Sequence, residues 1–561
     1  MDIRILRGHE VKEANKLIKH VFLSCYACQC SKEGIDEFLR YFKDENILTL
    51  MKNKELIMIG AYDEKLIGII GIKNLNHIMC LCVDEDYQGK YIGTQLFNKA
   101  KNVMLYTVSV HASLNMIDFY KKQGFIQHSK PYLNNGMPYV FMEYNNSSDY
   151  HFHSYEEVDA FIAAQKDRVY ALDNFKRFMN DMCNPQLLLR TIHIGGTNGK
   201  GSTTNYIRSV LQKEGYKVAT FTSPALTSRL EIMRINNEMI PSHKFVEYAS
   251  RYMSLCLEYE ISKFEIEVFI AIMYFIENKV DFALFEVGLG GELDATNIIT
   301  PIISVNTNIG LDHTDYLGNT YEDIAKTKGG IIKDYIPFVT GEKKESCINI
   351  FKNICEQHQS PLIQVQNIFN VKDTQNQVTF DYRDYHIILN TSAKYQSENS
   401  ALAIEVLLYL KEQGYIKLST QTLLEGLFEA SWAGRFEILS KSPLIIIDGA
   451  HNKEGIEAFY QSAKKYHHIK IIFSALRDKD TYAMLEKLLQ LTADVTVCEF
   501  DFYRAQSAVN LAESFPVVIE KNWKKAIDDA FAHDGVIFVT GSLYFISQAR
   551  PYILEKIKLS S

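Results

Sequence analysis

The sequence predicts an α/β protein built as a series of three domains, and three observations carry that reading. The chain has 561 residues, too many for one or two cores at ~100–200 residues per domain. Short apolar strands alternate with helical stretches through its middle and C-terminal parts, the pattern of mostly parallel sheets covered by helices. Two glycine-containing turns each join an apolar strand to a helix start, the local geometry that gathers backbone N–H groups around phosphate.

Bulk composition removes several function classes. Lys and Arg number 60 against 68 Asp and Glu, a net charge of −8 with the signs interspersed. No basic face is implied, so nucleic acid is not the expected partner, and any phosphate site must be built locally. No apolar run reaches the ~18–20 residues of a membrane span. The start Met1-Asp2-Ile3-Arg4 leads into a strand pattern, not a secretory leader. Ten scattered cysteines read as a reduced, cytoplasmic protein. Cys25, Cys28 and Cys30 lack a second Cys/His pair at matching spacing, so they read as ordinary thiols and not as a zinc site.

Two seams divide the chain. Polar residues at 145–149 follow a strand pattern at 138–142 and precede a helical pattern that begins near Ser154. Ala433-Gly434-Arg435 opens a second alternation, with strands at 444–447, 469–473, 495–498 and 536–539. The expected domains are therefore 1–146, 150–432 and 433–561. In the middle domain, 192–194, 283–285 and 302–305 read as buried strands.

The strongest local signal is Ile192-His193-Ile194-Gly195-Gly196-Thr197-Asn198-Gly199-Lys200-Gly201-Ser202-Thr203. An apolar strand enters a glycine-rich turn and then a helix beginning near Gly201. Glycines let backbone N–H groups converge on an anion, and the helix start adds partial positive charge. Lys200 would reach the β- and γ-phosphates, with a hydroxyl from Ser202 or Thr203 near Mg²⁺ or a phosphate. This variant, with Gly201 between the Lys and Ser202, resembles the ATP loop of folylpolyglutamate synthases within the Mur ligase superfamily. The resemblance runs in order over roughly 152–550. It implies a central P-loop ATPase domain followed by a Rossmann-like C-terminal domain, with Gly196 to Thr203 holding ATP.

Further segments extend it. Glu286 ends a buried apolar strand, where a carboxylate needs a cation or a hydrogen-bond network, and Mg²⁺ prefers carboxylates plus phosphate oxygens. By resemblance, Ser223 of Thr222-Ser223-Pro224 joins Glu286 as a Mg²⁺ contact. Phe285-Glu286-Val287-Gly288-Leu289-Gly290-Gly291-Glu292-Leu293-Asp294-Ala295-Thr296-Asn297 is similar to the family's second signature. It implies a pterin contact for Asp294, although Glu292 stands where the family often has Arg. Ser262-Lys263-Phe264-Glu265 resembles a segment whose Phe packs against the pterin, which implies that role for Phe264. His313 takes the position of a His that binds a second Mg²⁺, and Lys328 that of a Lys carbamylated by CO₂. Carbamylation needs a neutral amine, so Lys328 should have a depressed pKa. Thr327-Lys328-Gly329-Gly330 departs from the usual Glu-Lys-Ala-Gly.

In the C-terminal half, Gln396-Ser397-Glu398-Asn399 resembles a Gln-x-x-Asn segment whose Asn contacts adenine. Trp432-Ala433-Gly434-Arg435 is similar to the family's Trp-Pro-Gly-Arg, and Arg435 would offer a bidentate fork to phosphates. Asp448-Gly449-Ala450-His451-Asn452 closely matches another signature, which implies Asp448 at the nucleoside and His451 at a phosphate or acyl phosphate. The implied reaction is ATP-dependent: Lys200, Mg²⁺ and Arg435 neutralise the transferring phosphoryl group, an acyl phosphate forms, and the α-amine of L-glutamate displaces phosphate. Two acceptors are implied, dihydropteroate and a reduced folate, for an enzyme of a family that looks monomeric. A different Mur-type amide ligase is the alternative.

Residues 1–146 carry a different signature. The strand ending at Val83 runs into Gln88-Gly89-Lys90-Tyr91-Ile92-Gly93, which resembles the pyrophosphate loop of GCN5-related N-acetyltransferases (GNAT) and implies acetyl-CoA binding there. Tyr91 occupies a position that is usually Gly. Asp118-Phe119-Tyr120-Lys121-Lys122-Gln123-Gly124-Phe125 resembles that family's C-terminal motif, which implies Tyr120 as the general acid. A mixed α/β GNAT-like fold is expected, acting on an amine acceptor that the residues do not identify, or serving only as an acyl-CoA-binding regulatory module.

Overall fold

The computed structural model describes residues 1–105, 107–146, 150–165 and 171–560. Positions 147–149 of the first seam lie outside the described residues. The chain divides into two compact units, Met1–Leu189 with Ser242–Lys279, and Arg190–Pro241 with Val280–Ser561.

The first unit begins with β1 (Asp2–Ile5), α1 (Val11–Cys25), α2 (Lys32–Tyr41), α3 (Asp44–Lys52), β2 (Leu56–Asp63), β3 (Lys65–Lys73) and β4 (His77–Val83). It continues with α4 (Ile92–Lys101), β5 (Thr107–Ser113), α5 (Ile117–Lys122), β6 (Ile126–Gln127), β7 (Tyr132–Asn134) and β8 (Met137–Asn145). Among the described residues the sheet order is β1-β2-β3-β4-β5-β8-β6, with β7 also on β8. β3 is apolar on both faces because helices cover both. Ile69 joins the cluster formed with α1. On the other face a Cβ at Gly68 would stand 3.0 Å from Leu96 and 3.1 Å from Ile92 of α4. Among the described residues β4 and β5 are parallel and paired at His77↔Ser109 and Ile78↔Val110, after which the strands part.

Four helices complete this unit: α6 (Tyr155–Ala163), α7 (Asp173–Asp181), Ser242–Glu258 and Lys263–Glu277. α7 buries Phe175, Phe178 and Met179, one stripe at helical spacing. Lys263–Glu277 starts with a Ser262/Glu265 capping box and buries every residue from Glu265 to Ile276, so it is a core helix. Polar contacts tie α4 and its surroundings to these helices. Lys99 Nζ pairs with Asp181 Oδ1 at 3.0 Å, and Asn102 Nδ2 donates to the Asp181 carbonyl at 3.0 Å. Lys279 Nζ donates to Asn74 Oδ1 at 2.9 Å.

The second unit holds β9 (Thr191–Gly195), α8 (Lys200–Lys213), β10 (Val218–Phe221), β11 (Met233–Ile235), β12 (Glu238–Met239), β13 (Phe282–Glu286), β14 (Ile303–Asn306), β15 (Phe338–Thr340) and β16 (Leu362–Gln364). Its first sheet runs β12-β11-β10-β13-β9-β14-β15-β16, parallel from β10 onward. The chain moves to opposite sides of β9 in its later strands, so β9 marks the switch point where open α/β sheets bind ligands. A three-stranded sheet, β17 (Phe369–Asp373), β18 (Val378–Tyr382) and β19 (Tyr385–Leu389), follows. The last sheet comprises β20 (Glu437–Lys441), β21 (Leu444–Asp448), β22 (Ile469–Phe473), β23 (Val495–Glu499), β24 (Val518–Asn522) and β25 (Val536–Thr540), ordered β20-β21-β25-β22-β23-β24. Among the described residues no helix is long and apolar enough to cross a membrane.

Candidate active site

Strand β9 delivers the phosphate loop. Its neighbours set Glu286 level with Ile194 and Asn306 level with Gly195, so the ends of three strands converge there. Gly196 has φ 131 and Gly199 φ 86, both in the left-handed half of the map. A Cβ at Gly196 would overlap the Thr307 hydroxyl and stand 2.9 Å from its backbone N, and one at Gly199 would overlap Asn399 Oδ1. Glycine is required at both positions for space as well as for dihedral freedom.

The segment after β14 cradles the loop from outside. Thr197 N donates to the Asn308 carbonyl at 2.9 Å, Asn198 N to Asn308 Oδ1 at 3.1 Å, and Thr307 Oγ1 to the Asn198 carbonyl at 2.6 Å. Lys200 opens α8, and its Nζ donates to the carbonyls of Gly196 and Thr197, each at 3.1 Å. In the first turn, Ser202 Oγ accepts from Gln396 Nε2 at 3.2 Å, while the buried Thr203 hydroxyl has no partner among the described residues.

Charged groups sit in dry surroundings here. Burial pushes the Glu286 carboxyl up to about 7, with Lys200 and Arg435 opposing the shift, and the Ser223 N–H bonds to it. Gly201 keeps the approach to Glu286 narrow: a Cβ there would lie 3.2 Å from Trp432 Nε1 and 3.4 Å from Glu286 Oε2. Lys328, on helix Tyr321–Gly329, is buried, and its Nζ donates to the Gly196 carbonyl at 2.9 Å. Burial, then the Lys200 charge, bring its pKa down to about 7, so the neutral amine expected from the sequence is present in quantity at neutral pH. Gly329 stands in place of the usual Ala because Ile354 fills the space: a Cβ there would lie 2.6 Å from Ile354 Cδ1. His313 precedes helix Thr314–Leu317 with φ 51, and burial brings its imidazole down to about 4, the neutral form a metal ligand needs. Among the described residues no three His, Cys, Asp or Glu side chains form a closed cation cage. A cation at Glu286 would therefore be completed by phosphate oxygens, which is how Mg²⁺ binds nucleotides.

The C-terminal sheet supplies the opposite wall. Asp448 ends β21 and is buried. Its Oδ2 accepts from Tyr395 OH and from Phe436 N, each at 2.8 Å, and its Oδ1 from Ala450 N at 2.8 Å. In this conformation Asp448 shapes its own turn. Asp294 does the same for its loop, accepting from Leu289 N at 2.7 Å and Thr296 N at 2.9 Å while fully buried. His451 Nδ1 bonds the Gly449 carbonyl at 2.8 Å, and Arg435 Nη1 donates to the same carbonyl at 3.4 Å. Asn399 Nδ2 donates to Gln396 Oε1 at 3.0 Å, which holds the Asn399 amide against Gly199. Glu292 is exposed on its loop. Phe264 belongs to the first unit, half-buried in the opening turn of its helix.

Two pairings between the middle and C-terminal segments of this unit had no assigned role in the sequence. Asn198 and Asn452 exchange amide hydrogen bonds at 3.0 and 3.2 Å. Asp312 and Lys479 form an ion pair with side chains 8% and 7% exposed. Asp312 also accepts from Asn452 Nδ2 at 2.9 Å and lies 3.7 Å from His451 Nε2.

In the first unit, Gln88 Nε2 donates to the Val83 carbonyl at 3.0 Å and Lys90 Nζ to the Asp86 carbonyl at 2.9 Å, shaping a loop that ends at the start of α4. Gly89 has φ 77, with no atom of the described residues within 4 Å of a Cβ built there, while a Cβ at Gly93 would meet Phe119 at 3.5 Å. Tyr91 caps α4 in the left-handed region at φ 61 and is 77% exposed. A Cβ there costs about 1–2 kcal/mol, partly offset by the entropy glycine would lose. Tyr91→Gly should therefore raise the first thermal unfolding midpoint, corresponding to a gain on the order of 1 kcal/mol; calorimetry checks it. Tyr120 is buried beside Cys80 and Cys82, and burial pushes its phenol far above the ordinary value, so it stays a proton donor.

Comparison with known proteins bears on both units. Family models match residues 26–146 as an acetyltransferase (GNAT) domain, 194–407 as a Mur ligase middle domain, and 434–543 as a Mur ligase glutamate ligase domain. The dihydrofolate synthase/folylpolyglutamate synthase of Bacillus subtilis (strain 168) is 34% identical over 404 residues, 68% of this chain and 94% of that protein. The chain belongs to the dihydrofolate synthase/folylpolyglutamate synthase family. The apo form of Lacticaseibacillus casei folylpolyglutamate synthase superposes with TM-score 0.64 at 29% identity, covering 72% of this chain and all (100%) of that one. A solved folylpolyglutamate synthase–AMPPCP–folate complex gives TM-score 0.64 at 30% identity, with 72% and 100% covered. Within this family the present chain carries an acetyltransferase domain ahead of the ligase domains.

Proposed function

We propose that the chain is an ATP-dependent ligase that joins L-glutamate to the carboxylate of dihydropteroate or of a reduced folate, and that its N-terminal domain transfers acetyl groups from acetyl-CoA to an amine. The observation that carries the ligase reading is the meeting of the phosphate loop with half-buried Lys200 and with buried Glu286 and Lys328 at the β9 switch point. Phosphoryl transfer demands little covalent participation from the protein; positioning and charge stabilisation do most of the catalysis. Loop N–H groups, Lys200 and Arg435 would hold the β- and γ-phosphates in line with the acceptor carboxylate. A carboxylate oxygen bonds to the γ-phosphorus as the bond to ADP breaks, giving an acyl phosphate. The glutamate amine then forms the amide bond, loses a proton and expels phosphate. The walls contributed by Asp448 to Asn452 exclude water from the acyl phosphate.

Ser223, Glu286 and His313 fit Mg²⁺: an acid raised by burial gains a cation, and a neutral imidazole is free to ligate. The ion would supply charge neutralisation on the phosphates. Lys328 fits carbamylation, since its amine is dry and close to neutral at pH 7. Phe264 and Asp294 are each assigned to folate, with Asp294 ordering the loop that carries Glu292. We assign Gly196 to Thr203, Asn399, Arg435, Asp448 and His451 to ATP, and Val83, Gln88 to Tyr91 and Gly93 to acetyl-CoA, with Tyr120 as the acid that protonates the leaving thiolate. A cytoplasmic monomer is the proposed working form.

The test is phosphate release from ATP and Mg²⁺ with glutamate, comparing dihydropteroate, tetrahydrofolate and no acceptor. Release that depends on a folate acceptor and falls by on the order of 10²–10³-fold in Lys200→Ala is expected. No release with either folate acceptor would overturn the substrate assignment.

A further inference from the structure

The acetyl transfer proposed for the N-terminal domain needs a proton acceptor for the amine, and the strand geometry supplies one. Beyond Ile78↔Val110, β4 and β5 share no backbone pairs among the described residues, so their facing N–H and C=O groups are open to an inserted partner. An extended chain bearing amides, such as the pantetheine arm of a CoA whose pyrophosphate sits at Gly89 to Gly93, meets that requirement. Tyr120 lies beside Cys80 and Cys82, on the β4 side of this wedge.

On the β5 side, the first residue past the last paired position is His111. Its ring is exposed, and its Nδ1 lies 2.6 Å from Tyr132 OH on β7. Around it stand His77 (ring centroids 5.2 Å), Phe141 (5.5 Å) and Tyr139 (6.1 Å). Val110 and Ala112 point the other way, into the core. Tyr139 is in turn 6.1 Å from Tyr26, which is buried at the end of α1 with Phe22 and Met137 and so backs this face from the core. The carboxylate on this sheet face, Glu143, is engaged by His128 at 3.3 Å.

We propose that His111 is the general base of acetyl transfer, and that the acceptor is a primary amine carried on an aromatic or apolar group bound among Tyr132, Tyr139 and Phe141. This inference rests on the acetyltransferase reading. With Nδ1–H donating to the Tyr132 oxygen, the Nε2 lone pair is available. As the amine nitrogen bonds to the acetyl carbonyl carbon, its N–H proton passes to His111 Nε2. The C–S bond then breaks, and the sulfur takes the Tyr120 proton. His111 and Tyr120 afterwards return to their resting states by exchange with water. The imidazolium formed in between faces aromatic rings that favour a cation.

At rest, partial burial holds His111 below the ordinary histidine value, toward the neutral form a base needs. The other titratable groups on this face do not mask it. His77 is brought down to about 4 by burial and by His111, and burial raises both Tyr132 and Tyr139; Glu143 lies one step along this face, opposite Ser109, and His128, whose N–H bonds to the Phe141 carbonyl, lies across Phe141 from His111.

The experiment uses the full chain with acetyl-CoA and 2-phenylethylamine as the probe acceptor. It follows CoA thiol release across pH and acetyl-CoA affinity by calorimetry, with ligase turnover as the fold control. Expected are amine-dependent release, a loss of about 100-fold or more in His111→Gln with acetyl-CoA affinity and ligase turnover unchanged, and disappearance of the acidic limb of kcat/KM. Tyr132→Phe should lower kcat several-fold and move that limb. Release at the wild-type rate in His111→Gln would overturn the base. Acetyl-CoA binding with no acetylation of the probe would overturn the acceptor class. Failure of the wild type to bind acetyl-CoA would overturn the acetyltransferase reading itself.

Discussion

Gly196→Ala should abolish most ligase turnover without removing any functional group. The position has φ 131, which an L side chain adopts only at a strain of order 1–3 kcal/mol. The added methyl would also collide with the Thr307 hydroxyl and press on its backbone N at 2.9 Å. Thr307 cannot yield cheaply, because its hydroxyl donates to the Asn198 carbonyl at 2.6 Å and its N–H to the Gly195 carbonyl at 2.9 Å. The loop must shift instead, carrying with it the Gly196 carbonyl that Lys200 and Lys328 share. Displacement of ~1 Å in such a site costs on the order of 10²-fold in rate. Acceptor-dependent phosphate release should fall at least that far while acetyl-CoA binding by the other unit is unchanged. A variant with wild-type turnover would show that the loop tolerates a side chain there and that the packing argument is wrong.

The second large effect is expected at Lys479. Its ion pair with Asp312 is nearly closed to solvent, and removing one member of such a pair typically costs about 3–5 kcal/mol because the other charge is left buried. Lys479→Met should therefore lower the thermal midpoint of the ligase unit strongly, and Asp312→Asn added to it should recover part of the loss. The pair also gives a signed pH dependence. Burial alone would raise the Asp312 carboxyl, but Lys479, His313 and His451 outweigh it and hold the group well below the ordinary aspartate range. A lowered native value means that the stabilisation is complete above the unfolded aspartate value near ~4 and is lost as pH falls below it toward the native value. Wild-type stability should drop through that acidic window, and the double variant should drop less. Urea midpoints at pH 7, 5 and 3.5 measure both; parallel losses in the two proteins would rule out Asp312 as the source.

The parts of this site that could be read in advance are those whose geometry is local. The phosphate loop is one: strand, glycines, lysine and helix start are consecutive, so spacing alone dictates a cradle. The depressed amine of Lys328 follows from chemistry once its position is assigned. The Asn198–Asn452 exchange and the Asp312–Lys479 pair span 254 and 167 residues, and no pattern in either segment announces the other. Asp448, at a strand end, and Asp294, by family resemblance, were expected to touch ligands; in this fold their oxygens cap their own turns. His111 was invisible for a third reason. Its environment is created by two strands ceasing to pair, and sequence patterns report where strands are, not where they separate.

The division of the chain into units also constrains how it is made. The first unit draws on two stretches, Met1–Leu189 and Ser242–Lys279, with the phosphate loop and β10 encoded between them. Synthesis proceeds from the N-terminus, and domains generally close as units. The acetyltransferase sheet can therefore emerge early, but the unit it belongs to stays incomplete until residue 279 has left the ribosome. By then the phosphate-loop segment is already outside, waiting for strands β13 and β14. A nascent chain stalled shortly before 279 should remain open to protease along the Lys263–Glu277 helix contacts, and one stalled well beyond it should not.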